Sequence, residues 1–510
     1  MSTPTRKREI FSIVGLPPEV LAVAMAKYSR SSRSIKETID ELTEEKSAEF
    51  HEKWVLGYGD SSVADIAVVA IAVENVSILA SKVLEDNRIA SYQEKSTRYV
   101  QFDSSSYYRP VAVMASKHAD LYISTADMLF TTYEKVLAGM IEYYRARYPK
   151  PTDLTDKMYA AKLKARSLDV ARYLLPAGTL TNFGMIMSAR ALRHAISKMK
   201  GHPFQEVRDI GNDVEAAAVN PAYNPHRAKI QPLLESLAEK APDEASALQE
   251  SLKLQIEGAP TLVKHTEPKP YFDGVAAIGA RYAKELGVME PKGAAQPRAD
   301  YIVERISPED ELIATILYSG SRAPFREIVH AVSKCDNAKK REIISAVQSR
   351  RGERDWVTRH FEVPGGFIFD ILFDYGAFRD LQRHRILTQI NQPLGIDHGY
   401  EIPRDLEDAG LLPTFDEAMK KAAHAVETIG KDLPDDSTYL IPLGYKKRTL
   451  FKMNLRELHH FVELRSKSGG HFSYRALVYD MYEQVKKVHP MLVEHLRAIK
   501  MDFPADFYKR

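Results

Sequence analysis

A long internal repeat constrains the fold of this chain more than any other feature of its sequence. A segment that begins at Tyr173 recurs 266 residues later, from Tyr439. Eight identities align at this spacing: Tyr173, Leu174, Pro176, Gly178, Met187, Arg190, Leu192 and His194 with Tyr439, Leu440, Pro442, Gly444, Met453, Arg456, Leu458 and His460. Self-similarity at a fixed spacing indicates that one structural unit occurs more than once.

Two weaker similarities lie upstream in the same order. Pro17–Ser29 resembles Ser307–Ser319, and Val83–Ser91 resembles Asp380–Thr388, at spacings of 290 and 297 residues. The spacing between the copies falls from 297 to 266 residues, which places about 31 extra residues in the first copy. The sequence gives no role for these residues. The pattern indicates a diverged tandem duplication; two unrelated helical stretches are the alternative.

The most probable boundary between the copies is rich in proline, glycine and alanine. This segment, Pro291–Asp300, has the composition of a linker. The predicted organisation is a first domain over 1–290, a linker over 291–300 and a second domain over 301–510. A chain of 510 residues has room for two or more domains, at roughly 100–200 residues each.

The distribution of apolar residues predicts a mostly helical protein of the α+β class. Helical periodicity covers 62–87, 110–148 (one helix or two), 229–256, 367–383, 455–467 and 472–488. Short β-type runs, such as Thr97–Phe102, are expected to form the sheet.

Composition excludes several classes of protein. Lys and Arg number 71 against 69 Asp and Glu, a balance that gives no support for a nucleic-acid scaffold. Cys335 is the only cysteine, so a disulfide within the chain is excluded and a reducing compartment is expected. The most apolar stretch, Val63–Val73, is too short to span a bilayer. We therefore predict a cytoplasmic protein with neither a membrane nor a nucleic-acid partner.

The sequence contains no metal-ligand spacing, dinucleotide-binding glycine motif or P-loop. The histidines have no spacing typical of metal ligands, so no metal site is predicted. Neither a dinucleotide-binding glycine motif nor a P-loop occurs.

The strongest polar cluster of the first half is Glu94, Ser96 and Arg98. A spacing of two places these side chains on one side of an extended segment. A guanidinium beside a carboxylate and a hydroxyl suits an anionic ligand, because arginine donates two parallel hydrogen bonds to phosphate. A solvated strand face with a local ion pair is the alternative interpretation.

The strongest cluster of the second half is Gln382–Arg385, at the end of an apolar helix. One interpretation is a clamp for a phosphate or an electron-rich ring. The alternative is structural, since cations at a helix C-terminus interact favourably with the helix dipole.

Together the two clusters resemble the signature of the flavin-dependent thymidylate synthase family, Arg-His-Arg-x-x-Ser-x-Asn-Glu-x-Ser-x-Arg-Tyr. Asp86–Tyr99 keeps the back of this signature, and Arg383–Leu394 keeps its front. The downstream motifs are also divided, because Arg172 occurs only in the first copy and Arg465 only in the second. The resemblance covers most of both halves.

The resemblance implies two tandem domains, each a twisted sheet packed with long helices, and a set of site residues. Glu94, Ser96, Arg98, Arg172 and Arg383 would bind a dUMP-type nucleotide, and Arg465 and Arg172 would act at the pyrimidine ring. FAD would contact Arg383, His384, Arg385, Asn454, Arg456 and His460. In the family, reduced flavin delivers a hydride to deoxyuridylate, methylenetetrahydrofolate supplies the one-carbon unit, and NADPH reduces the flavin.

Sites of this family lie between subunits of a homotetramer. The resemblance therefore implies a homodimer of this chain, as a pseudo-tetramer with composite sites. Three functions remain open: an active synthase that makes dTMP, a related flavoenzyme with another nucleotide or one-carbon donor, and a non-catalytic nucleotide- or flavin-binding protein.

Overall fold

The computed structural model describes residues 63–104, 106–220, 222–224, 227–252, 298–302, 307–319, 331–348, 357–503 and 506–509, with 13, 15–28, 35–40, 42, 44–50, 263 and 329. Contacts divide the chain into two compact units. The first comprises Met1–Glu74, Ile89–Glu94 and Asn182–Gly287; the second comprises Asn75–Arg88, Lys95–Thr181 and Val288–Arg510. The domain limits derived from the sequence stay a prediction.

Where the structure describes it, the first half of the sequence is largely helical. In chain order it contains α1 (Pro18–Tyr28), α2 (Ile35–Asp40), α3 (Glu44–Phe50), β1 (Val68–Ser77), α4 (Ile78–Leu84), β2 (Ser91–Glu94), α5 (Val111–Met114), α6 (Ala119–Arg147), α7 (Asp156–Ala171), β3 (Leu180–Ser188), α8 (Ala189–Lys200), α9 (Gln205–Val219), α10 (Arg227–Ala238) and α11 (Pro242–Leu252).

The second half contains β4 (Arg298–Ile302), α12 (Pro308–Ser319), α13 (Asn337–Gln348), β5 (Phe367–Asp374), α14 (Tyr375–Leu381), β6 (Thr388–Asn391), α15 (Asp405–Asp408), α16 (Leu412–Gly430), α17 (Pro434–Ser437), β7 (Lys446–Met453), α18 (Leu455–Arg465), α19 (Phe472–Val488) and α20 (Pro490–Val493). Single 3₁₀ turns cover Val63–Asp65, Arg172–Leu174, Arg359–Glu362 and Thr438–Leu440.

The two sheets have the same internal order of strands. The three-stranded sheet runs β1-β3-β2, and the four-stranded sheet runs β4-β5-β7-β6, in which β5, β7 and β6 correspond to β1, β3 and β2. A short helix follows each of the corresponding strands β1 and β5, and two longer helices follow each of the corresponding strands β3 and β7. The predicted α+β class is confirmed, and the repeat seen in the sequence extends to the topology.

The prediction of a helix over 62–87 is wrong for its central part, which forms β1, and only Ile78–Leu84 is α-helical. Along β1 the side chains at Val69, Ile71 and Val73 are buried while their neighbours are exposed. Alternation of this kind fits a strand with one buried face, and β-branched residues favour strands. The α-helix begins only at Ile78, where the hydroxyl of Ser77 accepts the N–H of Ala80 over 2.9 Å.

Other predicted elements are corrected in part. The segment 367–383 begins as β5 and becomes helical only in α14. The segment 110–148 forms two helices, α5 and α6, whereas 229–256 is divided between α10 and α11 up to residue 252. Helices α18 and α19 confirm the predictions for 455–467 and 472–488. Of the predicted linker, 291–297 lies outside the described residues, and Arg298–Asp300 belong to β4, which pairs with β5.

The strongest repeat segments meet inside the second unit along a short seam. Backbone hydrogen bonds cross it in reciprocal pairs: Gly178 N–H to Tyr439 O (2.7 Å) with Gly444 N–H to Tyr173 O (3.0 Å), and Ala177 N–H to Ile441 O with Leu443 N–H to Leu175 O (both 2.9 Å). The 266-residue spacing relates the two bonds of each pair, because the donor of one and the donor of the other occupy equivalent positions, as do the two acceptors. Reciprocal contacts of this kind are typical of a two-fold interface between equal units.

Replacing Gly178 by alanine is expected to destabilise the protein by roughly 1–3 kcal/mol. An added Cβ would lie 3.0 Å from the carbonyl oxygen of Tyr439, and the backbone cannot move away without breaking the seam. Gly184→Ala is the control, because a Cβ there meets nothing within 4 Å. Urea unfolding followed by circular dichroism measures both variants; equal midpoints would contradict the importance of the seam.

Among the residues that the structure describes, no helix combines the length and the apolar character that crossing a bilayer requires.

Candidate active site

Four of the arginines predicted from the two halves meet in the second unit, around the carboxylate of Asp380. Arg172 donates a hydrogen bond from Nη1 to Oδ2 of Asp380 over 3.3 Å. Burial alone would raise the pKa of this carboxyl, but guanidinium groups hold the pKa well below its ordinary value: those of Arg172, Arg98, Arg383 and Arg465. Because positive charge prevails around one carboxylate, the cluster attracts anions.

Arg98 is fixed by contacts to both halves. Its guanidinium donates to Oδ1 of Asp169 from Nε over 2.9 Å and to Oδ2 from Nη2 over 3.3 Å. It also donates over 3.2 Å to the hydroxyl of Tyr474 and over 3.2 Å to the carbonyl of Gly469. Burial disfavours its charged form, but Asp169 and Tyr474 raise the pKa of Arg98 above its ordinary value. Arg98 is therefore a permanently charged part of the site wall.

Arg172 presents donors that the described protein does not use. Its side chain is 2% exposed and lies at the end of α7. Nε and Nη2 are buried and have no hydrogen-bond partner among the described residues. The guanidinium lies over Gly376, where an added Cβ would be 3.4 Å from each of these nitrogens. A buried unsatisfied donor costs roughly 1–3 kcal/mol, so these N–H groups are suited to an anionic ligand.

His384 connects α18 to the arginine cluster. Its Nδ1 atom lies 2.8 Å from Oε1 of Glu457, and its Nε2 atom accepts a hydrogen bond from Nε of Arg465 over 2.8 Å. The ring packs edge-on against Phe461, with centroids 4.6 Å apart. Burial, together with the charges of Arg465 and Arg385, holds the pKa of His384 well below its ordinary value. The imidazole is therefore neutral at physiological pH.

The ring of Tyr474 joins the two ends of the cluster. The Cζ atom of Arg98 lies 5.8 Å from the ring centroid, and that of Arg465 lies 5.9 Å from it. Both distances are within the range of cation–π attraction. Arg98, from the first half, and His384, from the second, are thereby connected through Tyr474 and Arg465.

The predicted extended face of Glu94, Ser96 and Arg98 is wrong. β2 ends at Glu94, and Ser96 begins a turn in which its carbonyl accepts the N–H of Val100 over 3.0 Å and its hydroxyl accepts the N–H of Arg98 over 3.2 Å. Serine hydroxyls that bond nearby backbone compete with a strand, which also explains why 97–102 is not one. Glu94 is buried in the first unit, and Arg98 belongs to the second.

Two of the residues predicted to contact FAD make other contacts in this structure, one as a helix cap and one in an ion pair. Asn454 caps α18, since its Oδ1 atom accepts the N–H of Glu457 over 2.9 Å. Arg456 forms an ion pair with Glu362 at the surface. Neither side chain lies in the arginine cluster by a described contact.

The other four predicted FAD contacts are close together. Arg383, His384 and Arg385 follow one another after α14; Arg383 is exposed, His384 is buried and Arg385 is half-buried. His460 is half-buried beside His384, with ring centroids 5.3 Å apart. These side chains offer several cationic or neutral donors at one edge of the cluster.

Sequence reasoning missed four residues of the cluster: Asp169, Asp380, Glu457 and Tyr474. A signal existed for the two aspartates, because each lies near the end of a helix and precedes a predicted arginine by three residues, Asp169 before Arg172 and Asp380 before Arg383. A carboxylate one turn away on a buried helix face indicates charge compensation. Glu457 and Tyr474 gave no comparable signal.

Comparison with known proteins agrees with the split signature. The sequence model of the family described as "Thymidylate synthase complementing protein" matches residues 14–220 and 308–491. The chain belongs to this family. The thymidylate synthase complementing protein family thus covers both halves of the chain, and the recognition made from the split signature is confirmed.

Relatives of two kinds match this member of the thymidylate synthase complementing protein family. A UPF0159 protein of Chlamydia muridarum is 32% identical over 528 residues, covering 96% of this chain and 92% of the relative. A flavin-dependent thymidylate synthase of Clostridium tetani is 25% identical over 199 residues, covering 39% of this chain and 76% of the relative. A solved UMP/dUMP methylase from Streptomyces cacaoi, bound with 5-Br dUMP, is 14% identical with a TM-score of 0.33, covering 41% of this chain and 97% of that one.

Proposed function

We propose that this protein is a flavin-dependent thymidylate synthase-like enzyme, which converts dUMP to dTMP by reductive methylation. Membership of the family supports a nucleotide methyltransferase of this kind. The observation that carries the proposal is Arg172, a buried guanidinium with two N–H groups that no described residue accepts, in a cluster with Arg98 and Arg465. A planar fork of this kind suits phosphate or a pyrimidine carbonyl.

Residues from both halves of the chain would bind the nucleotide jointly. Arg172 and Arg383 would bind its phosphate, since both lie beside Asp380 and neither is held by two hydrogen bonds to one carboxylate. Arg465 would face the pyrimidine ring and stabilise negative charge that develops on its carbonyl oxygens. Arg98, fixed by Asp169, would form the wall against which the nucleotide lies. Direct roles for Glu94 and Ser96 stay a prediction.

FAD fits this arrangement in part. Arg383, His384, Arg385 and His460 form a cationic and donor-rich edge that suits a diphosphate. When bound, the flavin supplies the hydride of the reaction, NADPH would reduce it, and methylenetetrahydrofolate would supply the carbon. Asn454 and Arg456 would have to leave their cap and ion pair before contacting it.

We further propose that the functional form is a homodimer, a pseudo-tetramer of four repeats. Each chain already brings Arg98 and Arg172 of its first half to His384 and Arg465 of its second half. Light scattering should give about twice the chain mass of 57.6 kDa. A monomer at all concentrations would contradict the dimer without affecting the cluster inside one chain.

Release of tritium from carbon 5 of labelled dUMP tests the activity. We expect tritium release that requires FAD, NADPH and methylenetetrahydrofolate together, with dTMP as the product. No release under any combination of these would refute the synthase activity. A yellow preparation that frees flavin on denaturation supports the cofactor independently.

Asn454 caps a helix and Arg456 pairs with Glu362, so neither side chain is available to FAD as it stands. This favours a second candidate function, a nucleotide-binding protein without turnover. This candidate predicts dUMP binding by calorimetry with no flavin retained on the purified protein. FAD retention that is lost in His384→Ala would exclude it.

A further inference from the structure

Glu457 is a buried carboxylate that the proposed function has not used. It lies in the first turn of α18 and is 7% exposed. Its Oε1 atom is 2.8 Å from Nδ1 of His384, so the pair is buried on both sides. The backbone of Glu457 is itself fixed by the cap from Asn454. A buried carboxylate aimed at one ring nitrogen is suited to setting the tautomer of the histidine.

The contacts of His384 determine which nitrogen carries the proton. Arg465 is protonated at any physiological pH and its Nε–H can only donate. Because this N–H points to Nε2 of His384 over 2.8 Å, Nε2 must accept. The neutral ring then carries its proton on Nδ1 and donates it to Glu457. The chain of hydrogen bonds runs in one direction, from Arg465 through His384 to Glu457.

We propose that Glu457 is a positioning residue that fixes His384 as the Nδ1–H tautomer, so that Nε2 can hold the Arg465 guanidinium facing the nucleotide. A histidine of the opposite tautomer would place an N–H against the N–H of Arg465, which would turn the guanidinium away. The effect on nucleotide binding rests on the proposed function, whereas the tautomer of His384 does not.

The groups around Glu457 make its hydrogen bond with His384 sensitive to pH. Burial raises the pKa of Glu457 to about 7, against the opposing effect of His460, Arg465 and Arg456 on the same helix. His460 is itself neutral near pH 7, because burial and His384 lower its pKa.

Groups on the neighbouring elements complete the surroundings of Glu457. From the segment after α14, His384 contacts Glu457, and the charge of Arg385 acts on the His384 ring. From α19, Tyr474 lies against Arg465. From the turn Arg359–Glu362, Glu362 neutralises Arg456. Glu457 is therefore the acidic group of this set that changes charge near neutral pH, and its protonation weakens the acceptor for His384.

Calorimetric titration of dUMP between pH 6 and pH 8.5 tests the proposal on the full chain. The parent should bind about tenfold more tightly at pH 8 than at pH 6, since roughly nine-tenths of a group with pKa about 7 is protonated at pH 6. Glu457→Gln should lose this tenfold difference and keep only the pH dependence due to the dUMP phosphate, so that it binds more weakly than the parent at pH 8 and about equally at pH 6. The control Glu483→Gln, at an exposed ion pair of α19, should match the parent. A Glu457→Gln profile that matches the parent overturns the proposal.

Long-range ¹H–¹⁵N spectra of protein labelled in histidine test the tautomer without any ligand. His384→Gln identifies the signal, and the Nδ1–H pattern is expected at pH 8. The Nε2–H pattern in the parent, or an unchanged pattern in Glu457→Leu, overturns the role of Glu457. If the parent binds no dUMP at any pH, the proposed function fails, and these spectra alone decide on Glu457.

Discussion

Arg172→Ala should weaken dUMP binding at least about 100-fold. Two charge-assisted hydrogen bonds from Nε and Nη2 are worth roughly 1.5–3 kcal/mol each, and every 1.4 kcal/mol is tenfold in affinity. Both nitrogens are buried and have no acceptor among the described residues, so a bound anion would satisfy them at no cost to other contacts. Isothermal titration calorimetry with dUMP measures the loss.

Two further variants separate charge from geometry at this position. Arg172→Lys keeps the charge and loses the planar fork, so an intermediate loss of about tenfold is expected. Arg190→Ala removes a surface arginine paired with Asp65 and should leave affinity unchanged. Arg172→Ala that binds dUMP within threefold of the parent would remove Arg172 from the site, provided that circular dichroism shows it folded.

Glu457→Gln is expected to stabilise the folded protein at alkaline pH by up to about 3 kcal/mol. Burial raises the pKa of Glu457 from 4.5 to about 7 in the folded state. The stability that this group contributes is therefore fully present below pH 4.5 and is lost as pH rises through 7, because the unfolded chain ionises first. A rise of the pKa from 4.5 to about 7 corresponds to roughly 3 kcal/mol of stability, which the glutamine variant does not lose at alkaline pH.

Urea unfolding at pH 4 and pH 8.5 measures this difference. The parent and Glu457→Gln should be nearly equal at pH 4 and should diverge at pH 8.5, whereas Glu483→Gln should follow the parent at both. A Glu457→Gln variant that is less stable than the parent at pH 8.5 would mean that the bond to His384 outweighs the burial of charge. The ionised carboxylate thus lowers stability while it holds the histidine that the site uses.

The sequence predicted the repeat well because a fixed spacing survives divergence. The 266-residue spacing equates Gly178 with Gly444, and both donate their backbone N–H across the seam. The β1 strand was mistaken for a helix because its apolar residues fit either period when tertiary contacts are unknown. The turn at Ser96 was missed because a hydroxyl that bonds the local backbone leaves no periodic signal.

The cationic residues of the candidate site could be proposed from the sequence, but the ion pairs that they form could not. Arg98 and Asp169 are 71 residues apart, and Arg172 and Asp380 are 208 apart. Pairings of this kind depend on how helices pack and are invisible in a single sequence. The same holds for Glu457, which the sequence places beside Arg456 and the structure places against His384.

The stoichiometry of dUMP binding, measured by calorimetry on the parent and two variants, tests the shared site most directly. One nucleotide per 510-residue chain is predicted, and it should be lost both in Arg172→Ala, from the first half, and in Arg465→Ala, from the second. Two nucleotides per chain, or binding that survives either substitution in a folded protein, would show that the halves do not build one site together.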